Sequence, residues 1–362
     1  MERVHGPDHP DVASALNNLA GDCALQGRYA EADPLYQRAL TINEKALGPD
    51  HPHFFATDLN NLAGLFVRDG MQADPLFQRA MAINERVLHP DHPNVAMDLD
   101  NRAELLSVQG RYAEAEPLFK RSQEIREKVL GPDYPDVAQS LNNRALLLYQ
   151  QGKYAVAEPL YVRATEIWEK ALGPDHPTVA TVLNNRARLL SGKYDEADPL
   201  YHRVQEILLA TVGEEHPDYA LTLNNRAGLL SKQGRYAEAD PLYQRALAIN
   251  EKVLDPDHPN VAIGLNNRAG LLVAQGKYDD AGPLYLRAIE IGEKTLGLDH
   301  PDLATRLNNR AGLLRRQGMH DEAIPLLERA LKINMNKLGE GHEDTVNTQT
   351  ELELVRSELR CR

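Results

Sequence analysis

The sequence lacks most of what builds disulfide-held, membrane-spanning or nucleic-acid-binding chains. Two cysteines, Cys23 and Cys361, stand far apart among 362 residues. That is no disulfide framework, and a reducing cytoplasm is the compartment it implies. No apolar run approaches the ~18 residues that cross a bilayer. The N-terminus, MERVHGPDHP, has no hydrophobic core of the secretory kind. Acidic residues outnumber basic ones 53 to 40, for a net charge of −13, and the basic ones form no run. Such a chain has no surface for neutralising phosphates and no polybasic hold on an anionic membrane. There is no phosphate-binding Gly-x-x-x-x-Gly-Lys-Ser/Thr loop, no Gly-x-Ser-x-Gly and no His-Glu-x-x-His. Neither cysteine has a histidine at catalytic spacing. The expectation is no enzyme, no cofactor and no metal.

What is present is repetition. A His-Pro or Tyr-Pro pair recurs at His9, His51, His92, Tyr134, His176, His216, His258 and His300, at spacings of 42, 41, 42, 42, 40, 42 and 42 residues, with a degenerate ninth start at His342. A fixed period of this length marks an array rather than several domains. Each unit reads as two helices. In the first, Pro10 opens a helix, where its missing N–H costs nothing. Val12, Leu16, Leu19, Ala20 and Cys23 then share one face. Gly27 ends it, a second helix runs from about Ala30 to Leu47, and Gly48-Pro49 stops that one. One pair cannot bury its apolar faces, whereas stacked neighbours bury a continuous core. The two short spacings trace to deletions at inter-helix turns, before Pro75 and at Ser191-Gly192. Turns tolerate such length changes best.

The expected organisation is a remnant of a preceding helix in 1–8, eight tandem repeats in 9–341 and a capping helix with its tail in 342–362. The repeats start near residues 10, 52, 93, 135, 177, 217, 259 and 301. Residues Glu2 to Pro10 align with Glu85 to Pro93, which close a complete helix. The first helix is therefore expected to expose some of Val12, Ala15, Leu16 and Leu19. The chain reads as part of a longer protein, or as one half of a homodimer formed through its N-terminal repeat.

The segment Gln26-Gly-Arg-Tyr-Ala-Glu-Ala, with Tyr36 and Ala39, resembles the tetratricopeptide consensus. The 42-residue unit, with Leu16-Asn-Asn-Leu-Ala and Leu47-Gly-Pro-Asp-His-Pro, resembles the kinesin light chain type. The resemblance covers roughly residues 6 to 345. It implies an all-α fold, a right-handed α-solenoid superhelix of eight TPR helix pairs plus a C-terminal capping helix, with first helices inside. It also implies a scaffold that binds a protein or peptide in its concave groove. Two rivals are a regulatory module of a larger switch NTPase and a self-assembly element.

Three sets of residues are candidates for recognition. The first is an asparagine pair, at Asn17-Asn18, Asn60-Asn61, Asn142-Asn143, Asn184-Asn185, Asn224-Asn225, Asn266-Asn267 and Asn308-Asn309, with Asp100-Asn101 in unit three. Asparagine is a mediocre helix residue, but its amide both donates and accepts. The resemblance assigns peptide contacts to Asn18, Asn61, Asn101, Asn143, Asn185, Asn225, Asn267 and Asn309, with Asn142, Asn184 and Asn224 beside them. The alternative is an asparagine ladder between neighbouring repeats, and both can hold together. The second set departs from the family's leucine: Arg102, Arg144, Arg186, Arg226, Arg268 and Arg310. These either meet an acidic ligand or pair with second-helix acids such as Glu114, Glu116, Glu158, Asp198 or Asp240. The ion-pair reading is preferred. The third set is Gly21, Gly64, Gly228, Gly270 and Gly312, read as close ligand approach or as tight helix packing. Glu104, Leu146 and Arg188 replace glycine in the middle units and break the symmetry there.

The recurring aromatics Tyr36, Phe77, Phe119, Tyr161, Tyr201, Tyr243 and Tyr285 read as core. Trp168, in place of Asn43 or Asn250, is a candidate exposed contact. The linker histidines are spread one per repeat, about 10 Å apart, too far for a shared ion. They read instead as helix-start caps.

Overall fold

A computed structural model of the chain describes residues 6–25, 28–49, 51, 55–65 and 73–360. Among them are seventeen α-helices and no strand. They run as α1 (Pro10–Leu25), α2 (Tyr29–Leu47), α3 (Phe55–Leu65), α4 (Ala73–Val87), α5 (Pro93–Val108), α6 (Tyr112–Leu130), α7 (Pro135–Gln150), α8 (Tyr154–Leu172) and α9 (Pro177–Leu189). The series continues with α10 (Tyr194–Thr211), α11 (Pro217–Lys232), α12 (Tyr236–Val253), α13 (Pro259–Ala274), α14 (Tyr278–Leu296), α15 (Pro301–Arg316), α16 (His320–Lys337) and α17 (Glu343–Arg360). The chain divides into two compact units, Met1–Leu189 and Leu190–Arg362. Gly27, Cys361 and residues 1–5 lie outside the described residues.

The linker histidines start the first helices. The Nδ1 atom of His92, His216, His258 and His300 accepts from the backbone N–H two residues on, at 3.1 or 3.2 Å. Proline follows each of them at the first helical position. The imidazole thus satisfies an orphan donor and proline removes another. At the other end of the pair, Gly131 and Gly173 close α6 and α8 at φ 94° and 93°. A side chain there would be strained.

Small residues let the two helices of a pair approach closely. Ala20 and Ala32, Ala103 and Ala115, Ala227 and Ala239, and Ala269 and Ala281 are all fully buried. The recurring aromatic is core, as its fixed place in the repeat implied. In unit 1, Phe119 packs with Ala103, Leu106 and Ala115 of its own pair and with Leu147 of the next. In unit 2, Tyr243 does the same with Ala227, Leu230, Ala239 and Leu271. Each such ring stabilises two repeats at once, by about 1.5–3 kcal/mol of apolar burial.

A second contact between repeats lies at one fixed pair of positions, one on a second helix and one on the first helix that follows. Asn43 donates to Asp58 at 2.7 Å, Asn84 to Asp98 at 2.7 Å and Asn334 to Thr348 at 3.1 Å. Arg126 reaches both Asp100 and Ser140. In α14 and α15 the pair is inverted in size, since a Cβ on Gly292 would collide with the Arg306 guanidinium. Trp168 occupies the second-helix position in α8 and is 4% exposed. It is therefore a core residue and not the exposed contact that its isolation in the sequence suggested. The first helix also corrects an expectation in part. Val12 is buried against Ala39 and Ile42 of its own repeat, whereas Leu19 is 51% exposed.

Candidate functional site

In four of the asparagine pairs the two amides differ in burial. Asn60, Asn142, Asn184 and Asn224, first in their pairs, are buried. Asn61, Asn101, Asn143, Asn185, Asn225, Asn267 and Asn309, second in theirs, are half-buried, and Asn18 is exposed. In three repeats the second amide donates to the first amide of the repeat before. Asn185 reaches Asn142 at 3.1 Å, Asn267 reaches Asn224 at 3.3 Å and Asn309 reaches Asn266 at 3.0 Å. This ladder accounts for a mediocre helix residue in mid-helix, because it satisfies amides that burial would otherwise strand. Each rung uses one of the two N–H donors of the second asparagine, and the ladder does not involve the carbonyl oxygens of Asn185 and Asn309.

The arginines are mostly tied down. Arg102 meets Asp74 at 2.9 Å, Arg186 meets Glu158 at 3.6 Å, Arg226 meets Asp198 at 2.8 Å and Arg268 meets Asp240 at 3.0 Å. Each partner lies on the second helix of the preceding pair, 28 residues back. Two rungs differ. Glu116, the counterpart for Arg144, pairs with Lys153, and Arg144 donates to Gln123 at 3.2 Å. The counterpart for Arg310 is Gly282. Burial pushes the Arg310 guanidinium down, against the fields of Glu322 and Glu290. Glu114, the remaining acid expected in the ladder, pairs with Arg111 of its own turn.

Three of the mid-helix glycines lie against a phenol. A Cβ on Gly21, Gly228 or Gly270 would stand 3.6, 3.4 or 3.6 Å from the hydroxyl of Tyr36, Tyr243 or Tyr285. That is ordinary contact, so helix packing favours glycine there without demanding it. Gly64 and Gly312 face open space.

In unit 1, residues of α1 to α5 line a cavity of about 600 Å³. Its walls include Asn60, Asn61, Asn101 and Glu104, with the rings of Tyr36 and Phe77. Positions 57, 60, 61 and 64 share one helical face, which places amides at the mouth and aromatics at the floor. Glu104 is open to solvent but enclosed by these walls. Partial desolvation by the walls, and Asp100 one turn away, raise its carboxyl above the ordinary range. Asp98 lies beneath, fully buried, accepting from Asn60 and Asn84 at 2.7 Å each. Burial outweighs those two bonds and pushes Asp98 up to about 6. Asp58, held in the same way by Asn43 and Asn17, is raised by burial too. Neither aspartate stood out in the sequence. The signal was an acid two residues before the asparagine pair, where other units have Ser140, Val182 or Thr222.

The helix pairs, their period and the asparagine-lined inner face define a helical-repeat protein. Tetratricopeptide repeat signatures match overlapping segments from residue 54 to 359, and a further one matches 12–53. The chain belongs to the tetratricopeptide repeat family, a class of protein-interaction scaffolds. No curated protein matches it by sequence. Among solved structures it is similar to a kinesin light chain of nearly identical TPR-like repeats from Podosopora anserina, at 25% identity and a TM-score of 0.47 over 56% of this chain and 97% of that one. It is also similar to a Rap protein complexed with Competence and Sporulation Factor, at 17% identity and a TM-score of 0.58 over 97% and 99%. The fold of the Cut9–Hcn1 assembly of the APC/C matches at 14% identity and a TM-score of 0.54, over 94% of this chain and 55% of that one. Among the described residues, no helix is long and apolar enough to cross a membrane.

Proposed function

We propose that the chain is a non-enzymatic scaffold that holds an extended peptide segment of a partner protein along the inner faces of its first helices. The observation that carries this reading is the unit 1 cavity, where Asn61 and Asn101 stand over an apolar floor. Ligand pockets are typically concave and mostly apolar, with a few polar groups that fix orientation, at about 300–1,000 Å³ for small molecules. An amide can donate to a peptide carbonyl or accept from a peptide N–H, so it serves a backbone of any sequence. The ladder holds the amides of the later repeats in place before any ligand arrives, which lowers the ordering cost of binding.

The test is capture of binding peptides from a random linear library by the full chain, followed by titration against two variants. Asn61→Ala with Asn101→Ala should weaken binding by about tenfold or more, since each lost hydrogen bond is worth about 0.5–1.5 kcal/mol. Arg121→Ala, on the exposed side of α6 beside Glu85, should leave it unchanged. Equal affinity of all three proteins would defeat the reading.

A further inference from the structure

Glu104 stands where five other repeats carry glycine, and its carboxylate lines the unit 1 cavity. Its two charged neighbours on α5 are already engaged, Asp100 with Arg126 and Arg102 with Asp74. Beside Gly21, Gly228 and Gly270 the facing ring carries a hydroxyl close by, on Tyr36, Tyr243 and Tyr285. In the Glu104 repeat the corresponding ring is Phe119, which has no hydrogen bond to offer. Among the described residues, the walls of the cavity it faces include no basic one. A carboxylate in a cleft with apolar walls focuses its field there and draws a cation.

We infer that the unit 1 cavity selects a peptide segment carrying a lysine or arginine, whose charge seats on Glu104. The stem of that side chain lies along the apolar wall that includes Met97 and Leu65, and the amides of Asn61 and Asn101 take the neighbouring backbone. Long cationic side chains suit such a place, because their stems cover apolar surface while the charge finds its partner. The aromatic rings of the floor add attraction for a cation. The inference rests on the peptide-groove reading and gives that groove a charge preference.

The experiment uses the full chain and a random linear nonapeptide library, with Glu104→Gln and Glu104→Arg as variants. Leucine and arginine occupy the same place in the units of Leu146 and Arg188, so neither variant conflicts with the helix. The wild type should enrich peptides with Lys or Arg at one fixed position. Glu104→Gln should lose that enrichment, and Glu104→Arg should favour Asp or Glu there. For the best peptide, Glu104→Gln should cost about 10–100-fold in affinity, the size of a charge-assisted hydrogen bond. A norleucine replacement of its basic residue should then cost the variant nothing more. Binders that need Asn61 and Asn101 but show no basic preference would overturn this inference and leave the groove standing. Binders indifferent to Asn61 and Asn101, or none at all, would overturn both.

Discussion

The two units solve one packing problem in opposite ways. At the fixed contact between repeats, unit 1 buries acids: Asp58 and Asp98 each accept from two asparagines, and Asp100 is held by Arg126. Unit 2 buries no acid at these places. It sets Arg306 into the space left by Gly292, and pairs Asn334 with Thr348. The helices around these contacts are nearly the same in length and outline. The repeats are therefore not interchangeable, because each second helix carries the complement of the first helix that follows it. Buried polar pairs of this kind fix register at some cost in stability.

The sharpest way to break the comparison is at Gly292. In Gly292→Val the new side chain takes the space of a buried guanidinium, which must leave its contact with the Ala288 carbonyl. We expect a loss of about 2–3 kcal/mol, from overpacking and a displaced charge. Urea unfolding monitored by circular dichroism reads it. Gly292→Asn combined with Arg306→Thr copies the Asn334–Thr348 pair and should recover most of the loss.

The acidic side of the comparison predicts a pH dependence. Asp98 titrates at about 6 when folded, and near 3.9 when unfolded. Between those values the folded chain holds a proton that the unfolded chain has released. Stability should therefore fall as pH rises from about 4 to about 6 and stay level above, by at most about 3 kcal/mol from this group. Asp98→Asn should flatten that part of the profile. It should be tolerated at pH 7, because the buried Asn60 and Asn84 carbonyl oxygens have no donor and one amide can turn to accept from it. Asp98→Ala should instead cost about 2–3 kcal/mol, by stranding both amides. Thermal melts across pH 4–8 separate the three proteins.

The smallest effect concerns the arginine ladder. Arg226→Met should cost less than about 1 kcal/mol, since its pairing with Asp198 is partly open to water. Gly282→Asp supplies the acid that the Arg310 rung lacks, in open space. It should stabilise unit 2 by up to about 1 kcal/mol, less at high salt. Melting temperatures at two salt concentrations check both.

The repeats, their helix boundaries and the aromatic core were legible because period and apolar spacing are local properties of the chain. The histidine caps were legible too, since His-Pro at a helix start has one economical geometry. The buried Asp58 and Asp98 were not. Their meaning depends on Asn43 and Asn84, which face them from a different helix. Trp168 misled too: it holds the second-helix position of the contact between repeats, where it is buried. The arginine ladder was foreseen in kind, but Asp74 was overlooked, and the Glu114 and Glu116 carboxylates turned out to serve Arg111 and Lys153.

The central claim is that ligands lie on the first helices. Site-specific photo-crosslinking tests it most directly, with p-benzoylphenylalanine at Met97 in the cavity wall or at Arg121 on the exposed side of α6, and a library-selected peptide as the probe. The account predicts a crosslink from position 97 and none from 121. A crosslink from 121 alone would contradict it.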